Sequence, residues 1–239
     1  MLISPRKDKG DPSLPAAGML LINPFEAGAG QRQAENRQAR QFFLFNSRLS
    51  VVPTGPGTNG FFVAGPAVGA PMAVLTMEKL IALGACRIII YGWCGSLNEA
   101  LRTGDVLLPS WSVSDEGTSA HYPMDSQPES HGPTRKLLAR ELAILGLNVM
   151  SGPVWTTDAP YRENRNRVAQ LGVQGVLGVD MEFGALAAAA AFRGVELTAV
   201  LLVSDELWTG TWRPGFRTKA FKEKSQNILG FLMDFCSEV

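Results

Sequence analysis

Short apolar runs alternate with longer amphipathic stretches along most of this chain of 239 residues. The run at 18–22 predicts a first buried strand, and the β-branched run at 195–203 is typical of a strand whose sheet is covered on both faces. Further strands are predicted at 49–52, 61–64, 86–91, 106–109, 111–114, 148–156 and 175–179. Helices are predicted at 31–45, 69–83, 133–145, 162–171, 181–192 and 216–236. The alternation predicts a single-domain, three-layer α/β/α fold with a mixed, mainly parallel central sheet.

The first 17 residues differ from the rest because they are polar and contain several prolines, without a helical or strand-like pattern. We therefore predict an N-terminal arm over residues 1–17 and one domain over residues 18–239. No apolar run approaches the ~18 residues that span a bilayer, and the arm lacks a signal-peptide core. These features predict a cytoplasmic protein without a membrane partner.

The composition narrows the function classes further. Hydrophobic residues make up 46% of the chain and charged residues 18%, which is ordinary for a globular protein. The 22 basic and 22 acidic residues balance, so no overall charge favours nucleic acid as a partner. Three cysteines without paired spacing and two histidines argue against a disulfide framework and exclude a histidine-rich metal site. We predict no metal and no cofactor.

Polar residues follow three of the predicted strands, where α/β proteins usually bind their ligands. The first segment is Gly92-Trp-Cys-Gly95, which is also compatible with a simple tight turn. The second is Val179-Asp-Met-Glu182, whose acids also suit the positive end of a helix dipole. The third is Val203-Ser-Asp-Glu206, where Asp205 also suits a helix N-cap. Together the three segments predict one crevice that binds a polar small molecule and takes part in proton transfer.

With two further glycine motifs, these segments resemble the nucleoside phosphorylase superfamily over roughly residue 48 to the C-terminus. The further motifs are Gly65-Pro-Ala-Val-Gly69-Ala-Pro, ahead of a helix, and Gly104-Asp-Val-Leu-Leu-Pro109. The order and spacing of all these motifs make the resemblance specific. Residues 116–122 are similar to the uridine phosphorylase branch. The resemblance implies an enzyme that cleaves the N-glycosidic bond of a nucleoside, with a purine-type base favoured and uridine as the other possibility.

The resemblance also implies roles for individual residues. Met181 packs on the sugar, and Glu182 accepts hydrogen bonds from the sugar hydroxyls. Asp205 protonates or hydrogen-bonds the leaving base. The surroundings of the base include Trp93, Cys94, Gly95 and Tyr161.

Residues from a neighbouring subunit take part in the family's site. His121 matches a residue that reaches the sugar end from the neighbour. Arg48 matches an arginine that the neighbour lends to the phosphate site, although a solvated surface arginine is the alternative interpretation. The backbone amide of Gly69 is a further phosphate donor. The resemblance therefore implies phosphate as co-substrate and a homodimer, or a hexamer built of dimers.

The chain departs from the family pattern where phosphate binds. Asn23-Pro-Phe-Glu26 stands where phosphorylases carry Gly-Asp-Pro-x-Arg, Ile90 replaces a second arginine, and Trp93 replaces a serine or threonine. The resemblance favours phosphorolysis to free base and sugar-1-phosphate. Two alternatives stay open: a hydrolase of the same fold, in which Glu26 is a candidate to orient the water, and a non-catalytic nucleoside-binding homologue.

Overall fold

The computed structural model of this chain describes residues 2–124, 128, 130 and 132–239. The strands are Ala17–Leu21 (β1), Arg40–Leu44 (β2), Ser47–Val52 (β3), Phe61–Gly65 (β4), Arg87–Ser96 (β5), Val106–Asp115 (β6), Val149–Thr157 (β7), Gly178–Asp180 (β8), Glu196–Glu206 (β9) and Arg213–Pro214 (β10). The helices are Pro24–Asn36 (α1), Ala70–Ala82 (α2), Pro133–Ile144 (α3), Arg165–Val173 (α4), Phe183–Arg193 (α5) and Lys219–Glu238 (α6). Short 3-10 turns lie at Ser119–His121 and Pro160–Arg162.

The strands form one sheet in the order β10-β9-β6-β7-β8-β5-β1-β4-β3-β2. Strand β9 also pairs with β5, so β5, β8, β7, β6 and β9 close into a ring at the centre of the sheet. The longest ladders, β5 with β9 and β6 with β7, are parallel, whereas β2, β3 and β4 pair antiparallel. The predicted mixed, mainly parallel sheet is therefore confirmed.

Helices cover both faces of the sheet, as the three-layer prediction requires. Helices α2 and α5 bury one core cluster, which includes Leu186, and helices α1, α3 and α6 bury a second, which includes Leu232. Side chains of β5 alternate between the two clusters: Ile90 lies in the first and Tyr91 in the second. Both faces of this strand are apolar because both are buried.

The helix predicted at 31–45 is wrong in its second half. Helix α1 starts earlier, with a proline in its first turn, and ends at Asn36. Gln38 then adopts a positive φ of 61°, which a helix does not tolerate. The aromatic residues that follow belong to β2, which pairs with β3 as a hairpin. Aromatic side chains favour such strands, and the pairing partner lies beyond the window that suggested the helix.

The segment Gly92–Gly95 is not a tight turn, because β5 continues through it to Ser96. The strand changes its pairing here through an irregularity between Cys94 and Gly95. Similarly, β8 is shorter than the predicted strand at 175–179, because Gly175 has a φ of 82° and ends the preceding helical turn. These irregularities all lie near the ends of central strands.

Residues 2–16 contain no helix or strand, but they are attached to the surface of α2. Lys79 Nζ donates to Asp8 Oδ2 at 3.1 Å and to Asp11 Oδ2 at 2.6 Å. The Leu14 amide donates to the carbonyl of Leu83. The domain boundary at residue 17 stays a prediction. Across the described residues, no helix is both long and apolar enough to cross a membrane.

Candidate active site

Strand β5 brings the three polar segments of the sequence together. Gly95 lies opposite Val179 of β8 in an antiparallel pair and opposite Asp205 of β9 in a parallel pair. A β-carbon at Gly95 would lie 2.5 Å from Leu207 Cδ1, 3.1 Å from Val179 Cγ1 and 3.2 Å from Asp205 Oδ2. Only glycine fits this junction without a shift, because a β-carbon would crowd the side chains of Leu207, Val179 and Asp205.

Glu182 is held at the junction of two helix N-termini. It precedes α5, and its Oε1 accepts a hydrogen bond of 2.6 Å from the amide of Gly69, which precedes α2. Its Oε2 faces the amide of Met181 at 3.3 Å. Only 6% of Glu182 is exposed, and burial, followed by the charge of Asp180, raises the pKa of its carboxyl. The Gly69 amide, expected at a phosphate, is thus engaged by Glu182 instead.

Asp180 fixes the backbone from which Glu182 projects. Its Oδ1 accepts a hydrogen bond of 2.7 Å from Thr156 Oγ1. Its Oδ2 accepts from the amides of Phe183 at 2.6 Å and Glu182 at 3.2 Å. Burial raises the pKa of Asp180, and these hydrogen bonds oppose that rise. Asp180 therefore caps α5, while Glu182 points across to α2.

Asp205 lies within β9, so the interpretation as a helix N-cap is wrong. Its Oδ2 accepts a hydrogen bond of 2.8 Å from Trp212 Nε1, and its Oδ1 accepts from Ser204 Oγ. Ser204 Oγ also lies 3.2 Å from the carbonyl oxygen of Cys94. Both carboxylate oxygens are thereby oriented beside the end of β5.

Glu163 is a site residue that the sequence reasoning missed. Burial, together with the charge of Asp205, raises the pKa of Glu163 to about 7. A second carboxyl therefore lies close enough to Asp205 to feel its charge. The available signal was its place two residues after Tyr161, in the segment already predicted to reach the base.

Cys94 lies in the core next to these acids. Only 2% of it is exposed, and burial raises the pKa of its thiol. The charges of Asp180 and Asp205 raise it further. Cys94 therefore contributes an uncharged thiol to the boundary of the site, since its thiolate form is disfavoured.

Three predicted residues lie on the surface. Tyr161 is fully exposed in the 3-10 turn at 160–162. His121 is exposed and lines a groove of about 810 Å³ together with Leu75 and Phe45. Arg48 is exposed in an adjoining groove of about 560 Å³ that also includes Phe45. Their contacts with substrate stay predictions.

The loop after β1 lies beside the glycine loop that holds Glu182. The carbonyl of Ile22 accepts a hydrogen bond of 3.1 Å from the amide of Ala67, two residues before Gly69. Glu26, in the first turn of α1, is fully buried. Its Oε1 accepts from Trp93 Nε1 at 3.1 Å and from Ser225 Oγ at 2.6 Å.

Trp93 points away from Cys94, towards α6. Its ring stacks on Phe216 with centroids 5.8 Å apart and meets Phe221 edge-on at 5.2 Å. Burial raises the pKa of Glu26 below it. The indole is therefore fixed by aromatic packing and by a buried carboxyl group, and its contact with substrate stays a prediction. Within the described part of the chain, no cluster of three or more histidine, cysteine, aspartate or glutamate residues is suited to hold a metal ion.

Comparisons with known proteins identify the family and the fold of this chain. The family model described as the phosphorylase superfamily matches residues 28–234. Purine nucleoside phosphorylases of the DeoD type from Bacillus thuringiensis and Bacillus cereus are 33% identical over 151 residues, which cover 62% of this chain and 64% of those relatives. This chain thus spans less than two thirds of their length. Purine nucleoside phosphorylase from Toxoplasma gondii, solved in complex with immucillin-H, shares the fold: its TM-score is 0.79 at 19% identity, over 94% of this chain and 91% of that one.

Proposed function

This chain belongs to the phosphorylase superfamily, and from that premise we propose that it cleaves the N-glycosidic bond between a purine-type base and its sugar. One observation supports the proposal: the end of β5 pairs both with the strand that leads into Glu182, whose side chain is buried, and with the strand that carries Asp205, whose carboxylate is oriented by hydrogen bonds. Two acids with different partners suit a reaction in which charge develops on two parts of one substrate.

Glu182 acts on the sugar in this proposal. When an N-glycosidic bond breaks, positive charge develops on the ring and makes the sugar hydroxyls stronger hydrogen-bond donors. A carboxylate that is already fixed by the Gly69 amide stabilises that charge without reorganising. Met181, whose amide faces Glu182 Oε2, supplies an apolar side chain beside the sugar.

Asp205 acts on the base. A purine leaves slowly until a ring nitrogen is protonated or strongly hydrogen-bonded. Burial, followed by the charge of Asp205, raises the pKa of Glu163 to about 7. Glu163 therefore keeps a proton near neutral pH, which supports proton donation at this corner of the site.

A second copy of the chain completes the site in this proposal. His121 and Arg48 lie in two adjoining grooves that share exposed Phe45. Leu75, also partly exposed, lies in the first of these grooves. Apolar side chains on one face, next to residues that the family uses across subunits, support a homodimer or a hexamer built of dimers.

The proposal covers cleavage of the glycosidic bond rather than phosphorolysis as such. The family resemblance favours phosphate as the second substrate. Against this, a phosphate dianion needs several fixed donors. Ile90 provides none, and the Gly69 amide is already bonded to Glu182.

The test is to incubate the wild-type protein with inosine, guanosine, adenosine and uridine, with and without phosphate, and to measure free base. We expect base release from at least one purine nucleoside. We also expect Asp205→Asn to slow it by about 10²–10⁴-fold, the usual contribution of a positioned acid. Cleavage of uridine alone, or an Asp205→Asn enzyme within about threefold of wild type, would contradict the proposal.

A further inference from the structure

We propose that Trp212 is a positioning residue for Asp205, and that its indole N–H stabilises the carboxylate that forms when Asp205 gives its proton to the leaving base. This inference rests on the proposed cleavage of purine nucleosides and deepens it, because it adds a residue to the part of the site that acts on the base. It concerns the hairpin of β9 and β10, which follows Asp205 in the chain.

The two oxygens of Asp205 have different surroundings. Oδ1 accepts a hydrogen bond from Ser204 Oγ. Oδ2 lies towards Gly95, because a β-carbon on Gly95 would be 3.2 Å from it. Trp212 Nε1 donates to this same Oδ2 at 2.8 Å. The indole therefore holds the oxygen that faces Gly95, one of the residues predicted to surround the base.

The hairpin, rather than the core, fixes the indole in this place. Strand β10 starts directly after Trp212 and pairs antiparallel with β9, so that Pro214 lies opposite Asp205. The ring of Trp212 packs against Phe216, with the ring centroids 6.3 Å apart. The side chain of Trp212 is nevertheless 60% exposed. The core does not need this ring, and its one hydrogen-bonding atom is used on Asp205.

The group that holds Asp205 carries no charge. Among the residues that the structure describes, no basic side chain forms an ion pair with Asp205, and Arg102 lies 3.6 Å from Glu206 instead. The guanidinium of Arg217, later in the same segment, lies over the ring of Phe216 at 5.7 Å. A cation beside a carboxyl group favours its ionised form, and an ionised acid has no proton to give. An uncharged indole donor orients Asp205 without removing the proton that a leaving purine needs.

The hydrogen bond from Trp212 becomes stronger as the reaction proceeds. The bond between C1′ and the base nitrogen breaks, and its electron pair stays on the base. The proton of Asp205 passes to a ring nitrogen of the base, and the negative charge stays on the Asp205 carboxylate. An oxygen of the second substrate, phosphate or water, forms the new bond to C1′, and exchange with solvent balances the protons.

This change of charge gives Trp212 an effect on rate. A hydrogen bond to an ionised acceptor is roughly twice as strong as one between neutral groups. The interaction therefore stabilises the transition state, in which Asp205 is becoming an anion, more than it stabilises the bound substrate. Trp212 does not replace Asp205 as the acid, because an indole N–H is too weak an acid to give up its proton.

The deciding experiment compares two leaving groups in the same proteins. A purine nucleoside that the wild type cleaves needs a proton on its base, whereas the base of its 7-methyl derivative is already positively charged and leaves without one. Trp212→Phe keeps an aromatic ring but lacks the donor. We expect this variant to lower kcat for the unmodified nucleoside by about 10–100-fold, the usual effect of a hydrogen bond to a charged group, with KM within about threefold. For the 7-methyl derivative, kcat should change by less than about threefold.

A double-mutant cycle separates this role from support of the fold. If Trp212 acts through the charge on Asp205, Trp212→Phe should slow the Asp205→Asn enzyme by less than about threefold further. Trp208→Phe is the matched control, because Trp208 Nε1 donates at 3.2 Å to the neighbouring Glu206, and it should stay within threefold of wild type. Trp212→Leu also lacks the donor and takes the place of Trp212→Phe if that variant does not fold.

The outcomes distinguish this inference from the proposed function. Equal slowing of both nucleosides, or a Trp212→Phe enzyme within about threefold of wild type on the unmodified nucleoside, would overturn the role of Trp212 and leave the proposed function standing. A wild-type protein that releases no base from any purine nucleoside would overturn both.

Discussion

The two acids of the segment 179–182 have different tasks although they are separated by one residue. Both oxygens of Asp180 are occupied by Thr156 and by the start of α5. Glu182 instead crosses to the start of α2, where the Gly69 amide holds one oxygen. Carboxylate oxygens accept more than one hydrogen bond, so Glu182 still has capacity to bind sugar hydroxyls.

Glu182→Gln should therefore reduce turnover far more than stability. The amide side chain keeps the shape and can still accept from Gly69, but it cannot ionise and so cannot supply the negative charge that stabilises the developing positive charge on the sugar. We expect kcat to fall by about 10²–10³-fold, the usual effect of removing one preorganised group. Steady-state kinetics and thermal unfolding measure the two effects. Glu223→Gln, at an exposed position of α6, is the control. A Glu182→Gln enzyme within threefold of wild type would exclude the role.

Glu163 should make stability depend on pH in a defined direction. Its pKa rises from 4.5 to about 7 on folding, so the folded protein binds this proton more tightly than the unfolded chain. The resulting stabilisation is complete below pH 4.5 and is lost as the pH rises towards 7. The melting temperature of the wild-type protein, compared with that of Glu163→Gln, should therefore fall as the pH rises from 4.5 to 7.

The Asp205→Asn background is the control for that measurement. The charge of Asp205 contributes to the raised pKa of Glu163, after burial. Removing this charge should therefore weaken the pH dependence that Glu163→Gln reveals. A difference in melting temperature that stays constant from pH 4.5 to 7 would show that Glu163 does not titrate in this way.

Among the elements, buried strands were easier to predict than their irregular ends. β1, β4 and the first part of β5 follow directly from apolar runs, because burial on both faces leaves a continuous hydrophobic signal. The continuation of β5 through Gly92–Gly95 was not visible. Its pairing partners, β8 and β9, lie far along the chain, and glycines ordinarily indicate turns.

Gly95 tests whether this junction positions the acids. Gly95→Ala places a β-carbon 2.5 Å from Leu207 Cδ1 and 3.2 Å from Asp205 Oδ2, so the Leu207 side chain must move and the Asp205 carboxylate must give way by a few tenths of an ångström. We expect a loss of about 1–3 kcal/mol in the free energy of unfolding and a loss of activity as well. Gly230→Ala is the control, because nothing lies within 4 Å of its β-carbon in α6 and helical alanine gains about 0.5–1 kcal/mol. Denaturant unfolding measures the free energy of unfolding of both variants. Equal values for Gly95→Ala and Gly230→Ala would contradict the packing argument.

At the scale of the whole molecule, strand and helix alternation was enough to predict the layers but not the closed ring. The ring depends on β9 pairing with both β5 and β6, which no local pattern reveals. The same limit applies to the site. Glu182 and Asp205 were predicted from their strand ends, whereas Glu163 was not, because Asp205, whose charge acts on it, is distant in sequence.

The proposed sharing of sites between copies has a direct test in mixed oligomers. His121 is exposed beside Leu75, and Glu182 is buried in its own subunit. If each site uses Glu182 from one copy and His121 from the next, a mixed dimer of His121→Ala and Glu182→Gln contains one intact site and one doubly altered site. Equal mixing and subunit exchange then yields half mixed dimers, so about one quarter of the wild-type activity should return for a symmetric dimer.

A second mixture controls for effects other than sharing. Met181 and Glu182 belong to the same subunit's site, so mixing Met181→Ala with Glu182→Gln creates no intact site and should restore nothing. Native mass spectrometry after mixing establishes that hybrid oligomers have formed. Hybrids of the His121→Ala and Glu182→Gln proteins that are no more active than the separate variants would show that His121 does not serve the neighbour's sugar site. Recovery confined to the first mixture would place a catalytic requirement at the interface, because only in that hybrid do both changes fall on the same site and leave the other site intact.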